Sequence, residues 1–198
     1  DEDIALARIA GRISREVLDE AGRAVAAGVT TDEIDRIVHE ETIKRGAYPS
    51  PLNYHGFPRS VCTSINEVVC HGIPDDAKKL KNGDIMNLDI TVRTPDGYHG
   101  DSSVMFVVGD TIQGERLCRI TQECLYKSIA LVKPGVRLSE LARVIQQHAE
   151  AHGYSVVRDF CGHGIGADFH EDPQFLHYDG YAPDADIRLE AGMCFTIE

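Results

Sequence analysis

The feature of the sequence that most restricts its fold is an internal similarity between two segments 107 residues apart. The segment 28–38, Gly-Val-Thr-Thr-Asp-Glu-Ile-Asp-Arg-Ile-Val, aligns without gaps on the segment 135–145, Gly-Val-Arg-Leu-Ser-Glu-Leu-Ala-Arg-Val-Ile. The same offset places Gly46 on Gly153. Such self-similarity predicts an internal duplication. The alternative is that two unrelated amphipathic helices begin with similar turns.

Hydrophobic periodicity predicts helices and strands in an order that is broadly the same in both halves. Helices are expected over 3–27, 32–45, 112–133 and 138–152, and strands over 61–70, 84–94, 98–108, 155–161 and 192–198. The turn Thr94-Pro-Asp-Gly97 predicts a hairpin between two of these strands. We therefore expect an α+β fold: a single domain of two similar halves, about 1–108 and 109–198, related by a pseudo-twofold axis. Its antiparallel sheet would carry the helices on one face, with a site between the halves.

Charge and cysteine content exclude several classes of protein. The chain of 198 residues has a formal net charge of −12, which argues against a nucleic-acid footprint and against binding to anionic membranes. No apolar run is long enough to suggest a membrane span, and the charged first 30 residues do not resemble a secretory signal. The six cysteines form no C-x-x-C pair. Reduced thiols in a cytoplasmic protein are therefore expected.

Two aspartates in the predicted hairpin indicate a metal site. Asp89 interrupts an apolar strand and Asp101 lies in the partner strand. With the turn centred near residues 95 and 96, residue 101 or 102 should lie opposite Asp89. Two carboxylates at that distance repel each other unless a cation lies between them, and a pair of divalent metal ions fits best. The alternative is that both carboxylates point to solvent.

Histidines and a terminal glutamate add further candidate ligands. His163 lies in a glycine-rich turn, His170 follows seven residues later, and His71 ends a predicted strand. Each is either a ligand or a satisfied turn residue. The glycine run is not expected to hold phosphate. A phosphate-binding glycine loop leads into the N-terminus of a helix, and Pro173 disfavours a helix here. Glu198 is a second charge in an apolar strand, close to the position equivalent to Asp89, so its carboxylate partner is expected beyond residue 198.

These motifs, taken in order, closely resemble those of type I methionine aminopeptidases, which share the pita-bread fold with prolidases and creatinase. The most specific matches are the segments 64–74, 87–91, 98–102, 161–166, 169–170 and 195–198. In that family two divalent metals are held by five side chains, and a fifth ligand, a bridging glutamate, has no match in this chain. The chain is therefore expected to be a truncated or incomplete form, or a decayed relative.

The resemblance implies a role for each matching residue. The implied metal ligands are Asp89, Asp101, His163 and Glu198, holding two divalent ions (Co, Mn, Fe or Zn). The implied catalytic residues are His71, His170 and Glu198, the last as general base. The implied substrate pocket is formed by Tyr54, Phe57, Cys62, His71, Phe169 and His170. A weaker match places one monovalent ion, Na or K, at Asn66 and Val68.

The activity implied by the resemblance is metal-dependent removal of the initiator methionine from peptides and nascent proteins with a small second residue. The ribosome is a further candidate partner. Two other hypotheses stay open. One is a non-catalytic module that binds peptides or nascent chains in a pita-bread pocket, motivated by the missing fifth ligand. The other is a different pita-bread peptidase such as a prolidase, which the loop 48–62 disfavours.

Overall fold

The fold was analysed in a computed structural model, which describes residues 2–198. Within them lie four α-helices: α1 (Glu2–Gly22), α2 (Thr31–Lys44), α3 (Ile112–Ile129) and α4 (Leu138–Ala151). The strands are β1 (Tyr48–Pro49), β2 (Cys62–Ile65), β3 (Ile85–Arg93), β4 (His99–Val107), β5 (Gly162–Gly164) and β6 (Glu171–Phe175), with a short 3₁₀ turn at Tyr54–Gly56. None of these helices has both the length and the apolar composition needed to cross a membrane.

The chain divides into two compact units. The first contains the residues up to 115 together with 167–169, and the second contains 116–166 together with 170–198. In the first unit, hydrogen bonds join the four strands β1, β2, β3 and β4 into one antiparallel sheet. In the second unit, β5 and β6 form another. The expected α+β class is thus confirmed.

The start of the second helix is built in the same way in both units. Gly28 and Gly135 both adopt a left-handed backbone, with φ of 93° and 90°. The Gly28 N–H donates to Leu80 O at 2.7 Å, and the Gly135 N–H donates to Leu189 O at 2.8 Å. An internal duplication would produce this recurrence, and the duplication itself stays a prediction.

The first unit is organised around β3, which pairs with β1 and β2 along one edge and with β4 along the other. The side chains of a strand alternate between its two faces. One face of β3 carries Met86, Leu88, Ile90 and Val92, which are completely buried and pack in one cluster with residues of α1 and α2. Asp89 lies on the other face.

A glycine allows α1 to approach β4 closely. A Cβ atom built on Gly100 would lie 2.2 Å from the carbonyl carbon of Ala10 and 2.4 Å from the nitrogen of Gly11. Nearby, the buried Ser14 hydroxyl donates to Ile90 O at 2.9 Å. The backbone of α1 therefore lies directly against the sheet at this point.

The core of the second unit lies between its helix pair and its hairpin. Phe175 of β6 is completely buried and packs in one cluster with Cys124 of α3 and with Leu138, Leu141 and Ile145 of α4. Arg137 N–H donates to a carboxylate oxygen of Glu140 at 3.0 Å at the start of α4. This contact satisfies a backbone donor at the helix N-terminus, where intrahelical partners are lacking.

Two predicted strands are wrong. Residues 155–161 form no strand; β5 begins only at Gly162. Val156 packs against the core of the second unit, so its apolar character reflects burial without strand pairing. Residues 192–198 likewise form no strand, although Phe195 makes an isolated bridge to Gly164. Strand β1 lies in a segment that the sequence analysis treated as a loop, and no strand was predicted at β5 or β6.

We predict that Gly100→Ala will lower the free energy of unfolding by roughly 3 kcal/mol, because the new methyl group would overlap the backbone of α1. Gly11→Ala is the matched control, since no atom beyond the neighbouring backbone of α1 lies within 4 Å of the position that its new Cβ would occupy. An alanine inside a helix is more favourable than glycine, so this control should be neutral or stabilising by up to about 1 kcal/mol. Urea unfolding of both variants measures the difference, and equal stabilities would contradict the close packing.

Candidate metal centre

The first unit places Asp89 and Asp101 on the same face of the sheet, but not directly opposite each other. Asp89 pairs with Ser103, and Asp101 pairs with Thr91. The two aspartates are therefore diagonal neighbours, for which a separation of about 7–8 Å between Cα atoms is usual. This spacing leaves room for a cation between two carboxylates on one face.

The predicted register, with residue 101 or 102 opposite Asp89, is wrong. Arg93 pairs with His99, and the Thr94 N–H donates to Tyr98 O at 2.9 Å. The turn is thus centred on Asp96, later than the sequence analysis placed it. Moving the centre of a hairpin by half a residue changes every partner by one, so a small error in the turn shifted the whole ladder.

Cys62 shares the face of Asp89, because the two residues are partners in the pairing of β2 with β3. Cys62 is buried, with 7% of its surface exposed. Burial raises the pKa of Cys62, and the negative charge of Asp89 raises it further. Cys62 is therefore a neutral thiol near pH 7, able to contact an apolar or thioether group.

In the second unit, His163 and Glu198 are close enough to hold one ion. His163 Nε2 lies 3.4 Å from Glu198 Oε1. His163 Nδ1 lies 2.9 Å from Gly164 O. A carbonyl oxygen only accepts hydrogen bonds, so Nδ1 carries the hydrogen and the lone pair of the neutral ring is on Nε2. The imidazole nitrogen and the carboxylate oxygen are both suitable donors for Mn, Fe, Co or Zn, so the pair fits a divalent metal.

Thr196 connects the backbone of His163 to the side chain of Glu198. Its hydroxyl accepts from the backbone N–H of His163 at 3.0 Å and donates to Glu198 Oε1 at 2.7 Å. The sequence analysis missed this role. The only available signal was the position of a hydroxyl residue two places before Glu198.

His177 is a second residue that the sequence analysis missed. It is 9% exposed, and its Nε2 accepts from the Glu198 N–H at 3.0 Å. Burial lowers the pKa of His177 to about 4, so the ring is neutral at pH 7 and can accept this bond. His177 therefore helps to fix the backbone of Glu198.

His170 lies beside His163, just before β6. Their ring centroids are 4.3 Å apart with an interplanar angle of 61°. The structure thus groups three predicted site residues, His163, His170 and Glu198, within the second unit.

An aromatic cluster in the first unit contains two of the predicted pocket residues. The rings of Tyr54 and Phe169 have centroids 4.9 Å apart. Phe169 also stacks on His99 at 5.6 Å, and His99 Nδ1 lies 2.9 Å from the Ser50 hydroxyl. His99 was not predicted to take part. Phe57 follows the 3₁₀ turn and donates its N–H to Tyr54 O at 2.9 Å.

His71 lies on an exposed turn that is fixed against β2. It has a positive φ of 55°. The next residue, Gly72, accepts from the Thr63 N–H at 2.8 Å and donates to the Ser64 hydroxyl at 3.1 Å. A Cβ on Gly72 would lie 2.0 Å from Thr63 O, so only glycine fits there and the position of His71 is well defined.

The predicted monovalent-cation residues, Asn66 and Val68, line a cavity of about 550 Å³ in the first unit. The side-chain oxygen of Asn66 accepts from the Ile85 N–H at 3.0 Å, and its nitrogen donates to Asp84 at 2.9 Å. The same cavity is lined by three lysines, at positions 78, 79 and 81. Two carboxylates, Glu67 and Asp84, line it as well, so its charge does not decide whether a cation binds, and the monovalent site stays a prediction.

Comparison with known proteins identifies the relatives of this chain. Residues 5–198 match the sequence pattern of metallopeptidase family M24. A curated methionine aminopeptidase from Salmonella typhimurium is 57% identical over 199 aligned residues, which cover 100% of this chain and 74% of that protein.

Solved structures show the same relationship. The crystal structure of methionine aminopeptidase from Rickettsia prowazekii superposes with a TM-score of 0.93 at 46% identity, covering 98% of this chain and 77% of that one. The prolidase from Pyrococcus horikoshii OT3 superposes with a TM-score of 0.80 at 21% identity, covering 98% of this chain and 53% of that one. The second likeness shows the fold alone.

We predict that Thr196→Val will weaken binding of Mn²⁺ or Co²⁺ by about tenfold or more, because the hydroxyl that holds the Glu198 carboxylate and the His163 backbone is lost. Thr196→Ser keeps the hydroxyl and should restore the affinity. Thr121→Val is the matched control, since the Thr121 hydroxyl donates only to Leu117 O on its own exposed helix. Isothermal titration of metal-depleted protein gives the affinities. Equal affinities in the wild type and Thr196→Val would show that Thr196 does not position the ligands.

Proposed function

Because this chain belongs to metallopeptidase family M24, we propose that it removes the N-terminal methionine from peptides and nascent proteins whose second residue is small. The observation that carries this proposal is the 57% identity to a methionine aminopeptidase over 100% of the chain. The pita-bread fold of the family agrees with the superposition on the enzyme from Rickettsia prowazekii.

We propose that Asp89, Asp101, His163 and Glu198 hold two divalent metal ions. The support is the shared face of the two aspartates and the orientation of the His163 lone pair towards Glu198. Oxygen and imidazole ligands accept Co, Mn, Fe or Zn. Such ions lower the pKa of bound water and polarise a carbonyl group, which is the chemistry that peptide hydrolysis needs.

Glu198 is the proposed general base. Its carboxylate accepts a proton from the attacking water and passes it to the leaving amine. The Thr196 hydroxyl and the His177 ring fix Glu198 through its side chain and its backbone. This orientation keeps the carboxylate in one position while the proton is transferred.

The two remaining histidines contact the substrate in this proposal. His170 donates a hydrogen bond to the carbonyl oxygen of the scissile bond, where negative charge develops. His71 contacts the scissile amide or the residue after it, and the rigid turn at Gly72 sets its position. Both roles derive from the family resemblance.

The methionine side chain is proposed to bind Tyr54, Phe57, Cys62 and Phe169. The Tyr54–Phe169 ring contact and the neutral thiol of Cys62 support an apolar pocket. Thioether groups make favourable contacts with aromatic rings, so such a lining suits methionine.

We further infer a cytoplasmic location, supported by the absence of a disulfide bond among the six cysteines of the described chain. Binding of one Na or K ion at Asn66 and Val68, and contact with the ribosome, are proposals that rest on the resemblance alone. The chain is proposed to act as one catalytic domain made of two similar halves.

Two other functions remain to be tested against this one. A peptide-binding module without catalysis would retain the pocket but hold no stoichiometric divalent ion. A prolidase would share the fold, as the prolidase from Pyrococcus horikoshii OT3 does, but would require proline after the scissile bond.

Methionine release from a Met-Ala-Ser peptide is the direct test. Metal-depleted protein should be inactive, and added Mn²⁺ or Co²⁺ should restore release of free methionine. Asp101→Asn should reduce the rate about 100-fold or more, because it removes a charged metal ligand. Asp96→Asn, in the nearby turn, is the matched control and should keep the wild-type rate. Stoichiometric metal binding without release, or no metal binding at all, would contradict the proposed catalysis.

Substrate selectivity is a separate prediction. Asp89 would hold a metal ion able to bind a free α-amine, so the N-acetylated Met-Ala-Ser peptide, which lacks one, should not be cleaved. An Ala-Pro dipeptide should also be resistant, because its first side chain does not fill the methionine pocket. Mass spectrometry of the products measures both. Equal cleavage of blocked and free peptides would show that the amine is not recognised, and preferential cleavage before proline would favour the prolidase.

A further inference from the structure

The helix pair of the second unit carries a cluster of three potential metal ligands that the proposed function does not use. They are Glu123 on α3 and His148 and His152 at the end of α4. One nitrogen or oxygen atom from each residue lies within 4.8 Å of the others. The histidines are four residues apart, so they project from the same side of the helix. All three residues are partly exposed and therefore accessible to an ion from solution.

One ring nitrogen of His152 already has a hydrogen-bond partner. Its Nδ1 lies 2.8 Å from His148 O. Since a carbonyl oxygen only accepts, Nδ1 must donate, and the neutral ring has its lone pair on Nε2. Metal-binding histidines commonly make this contact, with one nitrogen donating to a backbone carbonyl and the other facing the metal. The rings of His152 and His148 are close, with centroids 4.4 Å apart.

His148 and Glu123 meet at the position an ion would occupy. His148 Nε2 lies 2.7 Å from Glu123 Oε2, so a proton lies between them. Ligand atoms about 2.0–2.2 Å from a tetrahedral zinc ion are roughly 3.3 Å apart. Widening this contact by about half an ångström would admit the ion, which requires only small rotations of two flexible side chains. A metal-bound Nε2 carries no hydrogen, so a neutral His148 ring would bind as the tautomer with its hydrogen on Nδ1, and an imidazolium ring would release its Nε2 proton to water.

Some charges around the cluster favour the binding of a cation, and others oppose it. The C-terminal end of α4 carries partial negative charge, which favours a cation there. Arg119 opposes it, since its guanidinium donates to Glu123 Oε1 at 3.0 Å and neutralises part of that carboxylate. Arg116 donates to His152 O at 2.8 Å and so places a second positive group at the helix end. The arginines should therefore reduce the affinity.

We propose that Glu123, His148 and His152 bind one divalent ion of the zinc class, which fixes α3 to α4 and keeps a coordination position for water. Two imidazole nitrogens and one carboxylate oxygen form a ligand set suited to zinc, with a fourth position left open. This site shares no residue with the proposed catalytic centre. The proposal depends on the geometry of the second unit and is independent of the proposed function.

Zinc binding to the metal-depleted chain tests the proposal. Equilibrium dialysis followed by elemental analysis should show one more bound Zn²⁺ in the wild type than in the double variant His148→Gln/His152→Gln. Glu123→Gln should weaken this zinc site by about tenfold or more. Arg119→Gln should instead strengthen it, because the competing guanidinium is removed. Methionine release under saturating Mn²⁺ should be the same in all these proteins, which separates this site from the catalytic one.

Glu150→Gln is the matched control. It removes one carboxylate from the same end of α4, but Glu150 Oε1 is held by the side chain of Gln146 at 2.8 Å. The number of bound zinc ions should be unchanged. A second readout is the ¹⁵N spectrum of the histidine rings, in which the signals lost in His148→Gln and His152→Gln should shift when Zn²⁺ is added to the wild type.

Equal zinc stoichiometry in the wild type and the double variant would overturn the proposal. If circular dichroism shows that the double variant is unfolded, the single variants Glu123→Gln and Arg119→Gln decide the question. Unchanged zinc affinity in both of them would then overturn the proposal. Opposite shifts in the two variants would support it, since a general loss of structure cannot raise the affinity in one of them.

Discussion

The alternation of side chains along β3 is the constraint on which the first unit depends. Met86, Leu88, Ile90 and Val92 are excluded from water on one face, and their burial fixes the strand against its helices. A shift of one residue would turn this apolar row to the other side, at a large cost in buried area. The same alternation leaves Asp89 on the opposite face. Hydrophobic burial thus determines where the carboxylate is presented.

Much of this arrangement is readable from the sequence because it depends on local patterns. The period-two alternation and the Pro-Asp-Gly turn predict the strands of the central hairpin to within one residue at each end, and the helical periodicity over 32–45 predicts α2 equally closely. The family resemblance, which the comparisons confirm, comes from motifs of the same short range. Features that depend on a few neighbouring residues can therefore be predicted before the fold is known.

The features that could not be predicted depend on contacts between distant parts of the chain. Residues 155–161 look like a strand because they are apolar, yet Val156 only packs against the core. The hairpin register is a local exception, because residue type alone does not fix the centre of its turn. Thr196 and His177 became candidates only when their contacts with Glu198 were known, since neither lies in a pattern typical of a metal site.

The neutral thiol of Cys62 should react only slowly with oxidants and electrophiles. Oxidants and electrophiles react with thiolates far faster than with thiols, and burial beside Asp89 holds this sulfur in the thiol form. Cys194, in contrast, is exposed to solvent. Under oxidative stress the exposed sulfur should be modified first, while Cys62 keeps its shape and polarity. A cysteine in this position can line a pocket without making the protein sensitive to redox conditions.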